Sequence, residues 1–387
     1  MVPRFSVDKV LDRASTVARE VAGPLAEEID AEGRWPAEAL GALQDAGLGG
    51  LVVPESAGGL GHGLGALAEV CEVLAASCAS TAMCFGMHAV GSAVIAAKAT
   101  EAQQERYLEP IVAGRHITTL TLSEPGTGAH FWLPRTEARR TGAGFILSGS
   151  KTFVTNGGHA DSYVVSTVAA DASAPLGEFS CIVVDADAPG LTWGPAWEGL
   201  GMRGNSSCSV ELHDVPVPED ALLGEPGDQI WYVFNVVAPY FLMAMAGSYL
   251  GVAAGAFDDM RLHVTQRRYA HDGTRLAEQP VIQHRVGELW ATLERTRQLV
   301  RHAAQLGERG DADALPFLAS AKAEVADCAT EVINGAMTLV GGIGYRDHGS
   351  LGRRLRDARA AHVMSPTTDL LRLWTGRAVL GEHLLAD

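Results

Sequence analysis

The chain has no CxxC pair, and its six cysteines (Cys71, Cys78, Cys84, Cys181, Cys208, Cys328) do not stand at metal-ligand spacing from histidines. Zinc modules and dithiol redox motifs are therefore excluded, no metal is expected, and the cysteines read as small buried residues in a reducing compartment. No uninterrupted run of eighteen or more apolar residues occurs, so no membrane span is expected. The opening "MVPRFSVDKV" has neither a long apolar core nor a small-residue cleavage site, so the expectation is a cytoplasmic protein. Positive charge is in deficit: 30 Lys and Arg against 46 Asp and Glu leave a formal net charge of -16. That balance opposes binding to a nucleic-acid backbone or an anionic membrane surface. No internal repeat or low-complexity segment is found, which excludes solenoids and long disordered linkers.

What is present is ordinary for a globular chain: 47% hydrophobic and 20% charged residues over 387 positions, enough for two or three domains. "VDKVLDRASTVAREVAGPLAEEIDAEG" carries apolar residues at three-to-four spacing, and "GALAEVCEVLAASCASTAMCFGMHAVGSAVIAAKAT" reads as a longer, mostly buried helical stretch. From residue 117 the pattern changes to short β-branched runs such as "GFILSGSKTFVT" and "SYVVSTVAA", separated by Gly, Asp and Pro. Helices return after residue 228. The expected architecture is α+β: an N-terminal helical domain (1–116), a middle antiparallel β domain (117–228) and a C-terminal helical bundle (229–387).

Five stretches, in this order, resemble one family. They are "LSEPGTGAH", "GSKTFVTNGGHADSYVV", "GMRGNSSCSVELHDVPVPEDALLG", "VIQHRVGELW" and "LVGGIGYRDHGSLGRRLRDAR". Together they cover almost the whole chain, which is similar to the FAD-binding acyl-CoA dehydrogenase superfamily. The resemblance implies a flavin edge met by Ser123 and Thr155, a loop lined by Leu120, Leu122, Gly128 and Ala129, and Phe153 against the ring. It also implies a pyrophosphate contact from Arg267 or Arg268, supplied across a subunit boundary, hence a homodimer or homotetramer. Gly341 and Gly342 match glycines that approach the cofactor. Thr338 and Asp369 stand where the family commonly has Gln, and Thr367 matches a further FAD contact.

The departures are as informative as the matches. Removing an α-proton from an acyl thioester needs a base, a carboxylate in this family. In "MSPTT" the usual base position holds Ser365, and the alternative position on an earlier helix aligns with Phe241. A serine hydroxyl without an activator is too weak a base, so Ser365 is expected to shape the pocket. An Arg that normally lies beside acyl-CoA aligns with Leu242. These losses point to a substrate other than an ordinary acyl-CoA, such as an acyl group on a carrier protein. His130 is the first candidate for replacement proton chemistry; His88 and Tyr240 follow, while Glu198 reads as solvated. The expected activity is FAD-dependent dehydrogenation, passing electrons to a flavoprotein or to oxygen. The alternative is a flavin monooxygenase or oxidase on the same scaffold.

Overall fold

A computed structural model describes residues 5–170, 178–346 and 348–385. Helix α1 (Val7–Val17) starts where the Ser6 side chain accepts from the Lys9 amide, and it buries Val10, Ala14 and Val17 along one stripe. It is followed by α2 (Gly23–Glu32), α3 (Ala37–Asp45), α4 (Leu64–Ser77) and α5 (Ala79–Ala97). The long apolar stretch that reads as one helix is therefore two. Cys78 between them is extended (φ -145°, ψ 109°) and breaks the helical ladder. Two short helices, α6 (Glu101–Gln103) and α7 (Glu109–Val112), complete this part.

The middle part is a sheet of β1 (Thr118–Thr121), β2 (Glu137–Thr141), β3 (Gly144–Val154), β4 (Ser162–Ala169), β5 (Phe179–Asp185), β6 (Leu191–Trp193), β7 (Cys208–Pro218) and β8 (Leu222–Leu223). The order is β6-β7-β3-β2-β4-β5-β8, with β1 added beside β4. Most pairings are antiparallel, but β1 and β2 each run parallel to β4. The β3–β7 register shifts between Lys151 and Val154, which leaves Thr152 and Phe153 out of the pairing before Val154 rejoins Cys208.

The C-terminal part holds α8 (Gln229–Tyr232), α9 (Ala238–Gln266), α10 (Pro280–Arg309), α11 (Ala314–Val340), α12 (Ser350–Val363) and α13 (Thr368–Leu380). Helix α9 lies centrally, packed on α4 from the N-terminal part and on α11 from its own. Gly247 and Gly251 make that approach possible: a Cβ on either would stand 2.1 Å from a backbone carbonyl of α4, at Ala68 and Glu72. One continuous core runs through helices and sheet. Helix Ala79–Ala97 and the helical run Gln229–Gln266 are long and apolar enough to cross a membrane by length and composition, though neither is an uninterrupted apolar run of eighteen residues. Their apolar windows are 94% and 83% buried inside the fold, where they supply its core.

Candidate active site

The cleft that the sheet and helices enclose has a volume of about 740 Å³. Its first wall is the loop after β1. Glu124 fixes that loop: its carboxylate accepts from the amides of Arg135 (2.7 Å) and Thr136 (3.0 Å), the Thr136 hydroxyl (2.8 Å) and Lys151 Nζ (2.6 Å). Lys151, wholly buried, also donates to the carbonyl and hydroxyl of Ser166 at 2.6 and 2.9 Å. Burial pushes the Glu124 carboxyl up, but the Lys151 charge and the bonds from Lys151 and Thr136 outweigh it, so it titrates below its ordinary range. Burial also pushes Lys151 down, to about 8, against the opposing pull of Glu124. The pair is a satisfied buried anchor. Next to it, Thr152 N–H donates to Ser123 C=O at 2.9 Å, so Ser123 is held at the cleft.

The second wall is the end of β3. Phe153 has φ 55°, a left-handed conformation unfavourable for an aromatic residue, and its side chain is 64% exposed toward the cleft. Asn156 (φ 60°), Met202 and Ser206 (both φ 51°) share that conformation in the adjoining turns. Such positions persist where surrounding bonds over-determine them, and functional sites collect them. Here Asn156 donates to Cys84 C=O (3.0 Å) and accepts from the Trp35 indole (2.9 Å), while Asp357 accepts from the Met202 amide (2.7 Å). The Trp197 ring meets Phe153 edge-on at 6.0 Å between centroids, and its buried Nε1–H has no hydrogen-bond partner.

The third wall joins α12 to α13. Val363, Met364, Ser365, Pro366 and Thr367 all line the cleft. The Ser365 Oγ is buried without a hydrogen-bond partner, and Thr367 caps α13 by accepting from the Leu370 amide at 3.4 Å. The Ser365–Pro366 peptide is cis. Met83 and Met87 of α5, and Val237, Ala238 and Phe241 at the start of α9, close the apolar end.

Of the residues singled out from sequence, the cleft gathers Leu120, Leu122, Ser123, Gly128 and Ala129 from the first loop. It also holds Phe153, Thr155, Ser365 and Thr367. It does not gather the rest. His130 is exposed beside the cleft loop, its ring edge-on to Trp132 at 5.2 Å. Arg267 and Arg268 are exposed beyond the end of α9, where Arg268 donates to Gly273 C=O at 2.8 Å. Thr338 donates to Asn334 C=O within α11; Gly341 (φ 72°) and Gly342 follow that helix in open space, and Asp369 is exposed on α13.

His88 has a structural place. The Thr118 amide donates to its Nδ1 at 3.2 Å, so Nε2 carries the proton and donates to Gly49 C=O at 2.9 Å. Burial pushes its pKa down to about 4. Leu242 is fully buried, and Glu198 is exposed. Sequence reasoning passed over Lys151, Trp197 and Lys322. A lone lysine within an Ala-rich apolar run, as in "ASAKAEVADCA", is the signal that could have found the last.

A slot with an exposed aromatic face, two unpartnered polar atoms and glycine-rich edges suits a planar heterocyclic cofactor bound beside an apolar substrate. Comparison with known proteins specifies the class. Family models match the acyl-CoA dehydrogenase N-terminal domain over residues 7–115, middle domain over 119–215 and C-terminal domain over 239–380. The chain belongs to the acyl-CoA dehydrogenase family. It is 32% identical to cyclohexane-1-carbonyl-CoA dehydrogenase of Geobacter metallireducens, covering 96% of this chain and 97% of that one. Butyryl-CoA dehydrogenase of Megasphaera elsdenii superposes with a TM-score of 0.90 at 27% identity, over 98% and 100% of the two chains. KijD3, solved with FMN and a dTDP-amino-keto sugar, superposes with a TM-score of 0.86 at 25% identity, over 98% and 95%. The protein is an FAD-dependent oxidoreductase. When bound, FAD supplies the hydride acceptor. Phe153, Ser123 and Thr155 are the residues that would hold its ring.

Proposed function

We propose that the enzyme dehydrogenates an apolar acyl thioester carried on something other than free CoA, most simply on a carrier protein. One observation carries the reading. Among the described residues no Lys, Arg or His lines the cleft, and its one carboxylate, Glu124, is held by Lys151, Thr136 and Arg135. A cleft without cations is poor at holding the multiply phosphorylated nucleotide of CoA and suited to a neutral acyl chain. The absence of an untethered carboxylate supports a base from another position. His130, whose chain neighbours Ala129 and Phe131 both line the cleft, is the residue we assign to test.

Anaerobic mixing of the holoenzyme with one acyl group, on CoA and on a phosphopantetheine carrier protein, tests the substrate. Faster flavin bleaching by the carrier-bound form is expected; equal or faster bleaching by acyl-CoA would sink the proposal. Ser365→Ala should lower turnover by well under the roughly hundredfold that loss of a general base produces. His130→Ala should be the more damaging change at matched FAD occupancy, and the reverse ranking overturns the assignment. Reduced enzyme should pass electrons to a flavoprotein acceptor faster than to oxygen.

The cofactor site is proposed to be shared between subunits of a homodimer or homotetramer. Arg267 and Arg268 follow α9, and Thr338, Gly341 and Gly342 lie at or just past the end of α11, all outside their own chain's cleft, which supports their serving a neighbour's. Leu262 of α9 and Val281 and Trp290 of α10 leave 57%, 66% and 56% of their surface uncovered in the same C-terminal part, as an interface requires.

A further inference from the structure

Lys322 sits in the middle of α11 with none of its surface exposed. Its Nζ donates to three carbonyls: Ala361 at 2.9 Å, Met364 at 3.0 Å and Pro366 at 2.9 Å. An ammonium has three protons, and these acceptors take all of them. No carboxylate among the described residues pairs with it. Burial, with no carboxylate to oppose it, pushes its pKa down to about 7, and the charged form is met by the C-terminal end of α12 and by the two carbonyls that follow.

The consequence lies on the other side of the peptide planes. In a planar trans peptide the C=O and the following N–H point in opposite directions. The Met364–Ser365 and Pro366–Thr367 bonds are trans, and both carbonyls are turned onto Lys322. The N–H groups of Ser365 and Thr367 then point away from Lys322, and residues 363–367 line the cleft. Neither amide has a protein acceptor among the described residues. A cation on the carbonyl side also polarises each peptide, making its N–H a stronger donor.

We propose that Lys322 is a positioning residue, which from behind the cleft wall aims and polarises the Ser365 and Thr367 amides as a donor pair for a substrate carbonyl oxygen. The inference rests on the acyl-thioester reading for the identity of that oxygen, and on hydrogen bonds alone for the aim of the amides. Lys322 acts through the backbone and touches no ligand itself. A helix cap with no role beyond stability would show the same three bonds, so the test must read the amide directly.

Met364–Ser365 is the single Met-Ser pair in the chain. Deuterated holoenzyme labelled with carbonyl-13C methionine and 15N serine therefore gives one carbonyl–amide correlation, that of this peptide. Titration with the butyryl thioester of N-acetylcysteamine should move the Ser365 amide proton downfield in the wild type. A proton unmoved by the probe, whether the probe fails to bind or binds elsewhere, overturns the proposal. In Lys322→Met the Met364 carbonyl carbon should shift upfield before any ligand is added. The probe-induced amide shift should fall by at least half, with roughly tenfold weaker binding. A folded Lys322→Met that keeps the full shift and affinity also overturns it, leaving Lys322 a cap. If that variant does not fold, the wild-type titration and Lys322→Arg, which keeps the cation and should keep part of the shift, decide the matter. None of these readouts needs turnover. An enzyme that binds the probe through Ser365 but never bleaches its flavin refutes the proposed reaction and leaves the role of Lys322 standing.

Discussion

Histidine 88 shows how a single side chain changes meaning once its neighbours are known. In sequence it is a titratable group in an apolar helix and a candidate base. In the fold both its nitrogens are engaged, and burial holds it neutral down to about pH 4. The unfolded chain takes up that proton near pH 6.5, so between about 6.5 and 4 the unfolded state binds more protons. Stability is therefore lost as pH falls through that window, by roughly 3 kcal/mol from this residue. Urea melts at pH 7.5, 5.5 and 4.5 should show a shallower acid loss for His88→Gln than for the wild type; parallel curves would refute the role. Lys151 supplies a second test at this scale. Lys151→Met strands the buried Glu124 carboxylate, and breaking such a pair costs about 3–5 kcal/mol. The cleft loop after β1 is tied down by that anchor, so FAD should also be released faster from the folded variant, as cofactor fluorescence would record.

Between elements, backbone contact decides what propensity alone would get backwards. Gly→Ala inside a helix ordinarily stabilises by about 1 kcal/mol. Gly41 on α3 has open space around a new Cβ, so Gly41→Ala should gain about that much. Gly247 on α9 faces the Ala68 carbonyl of α4 at 2.1 Å from the same added atom. There the clash wins, and Gly247→Ala should lose about 1–3 kcal/mol net. Urea midpoints of the two variants check both signs. A stabilised Gly247→Ala would mean that α4 and α9 are not packed as described. Phe131, Trp132, Phe234 and Trp374 make the next junction, with ring centroids 5.3–6.4 Å apart, and tie the cleft loop to α13 and to the turn before α9.

For the whole molecule, the test is whether one chain makes a complete site. Light scattering should give a dimer or tetramer, and a monomer that holds FAD tightly would contradict the shared site. Arg267→Ala and Arg268→Ala, both at exposed positions, should leave the folding midpoint within about 0.5 kcal/mol of wild type. At least one of them should lower FAD retention; unchanged retention in both would remove these arginines from the cofactor's surroundings.

The order of helices, strands and helices, and the cleft-lining residues Ser123, Phe153 and Thr155, were legible in the chain because they are local. Helical periodicity, β-branched runs and short motifs need no distant partner to be recognised. That Ser365 stands where the resemblance implies a carboxylate was legible for the same reason, since it lies within a recognisable stretch. What became of the charged and polar residues was not. Glu124 and Lys151 are 27 positions apart, and Lys322 is 39, 42 and 44 positions from the carbonyls it holds. No spacing rule connects such partners, because chain separation says nothing about which faces the core brings together. By itself the sequence determined the family scaffold and the missing carboxylate. Only the tertiary structure decided that His88 is a strut, that Glu124 is spoken for, and that a buried lysine holds the Ala361, Met364 and Pro366 carbonyls, since each depends on a low-dielectric neighbourhood assembled from distant segments.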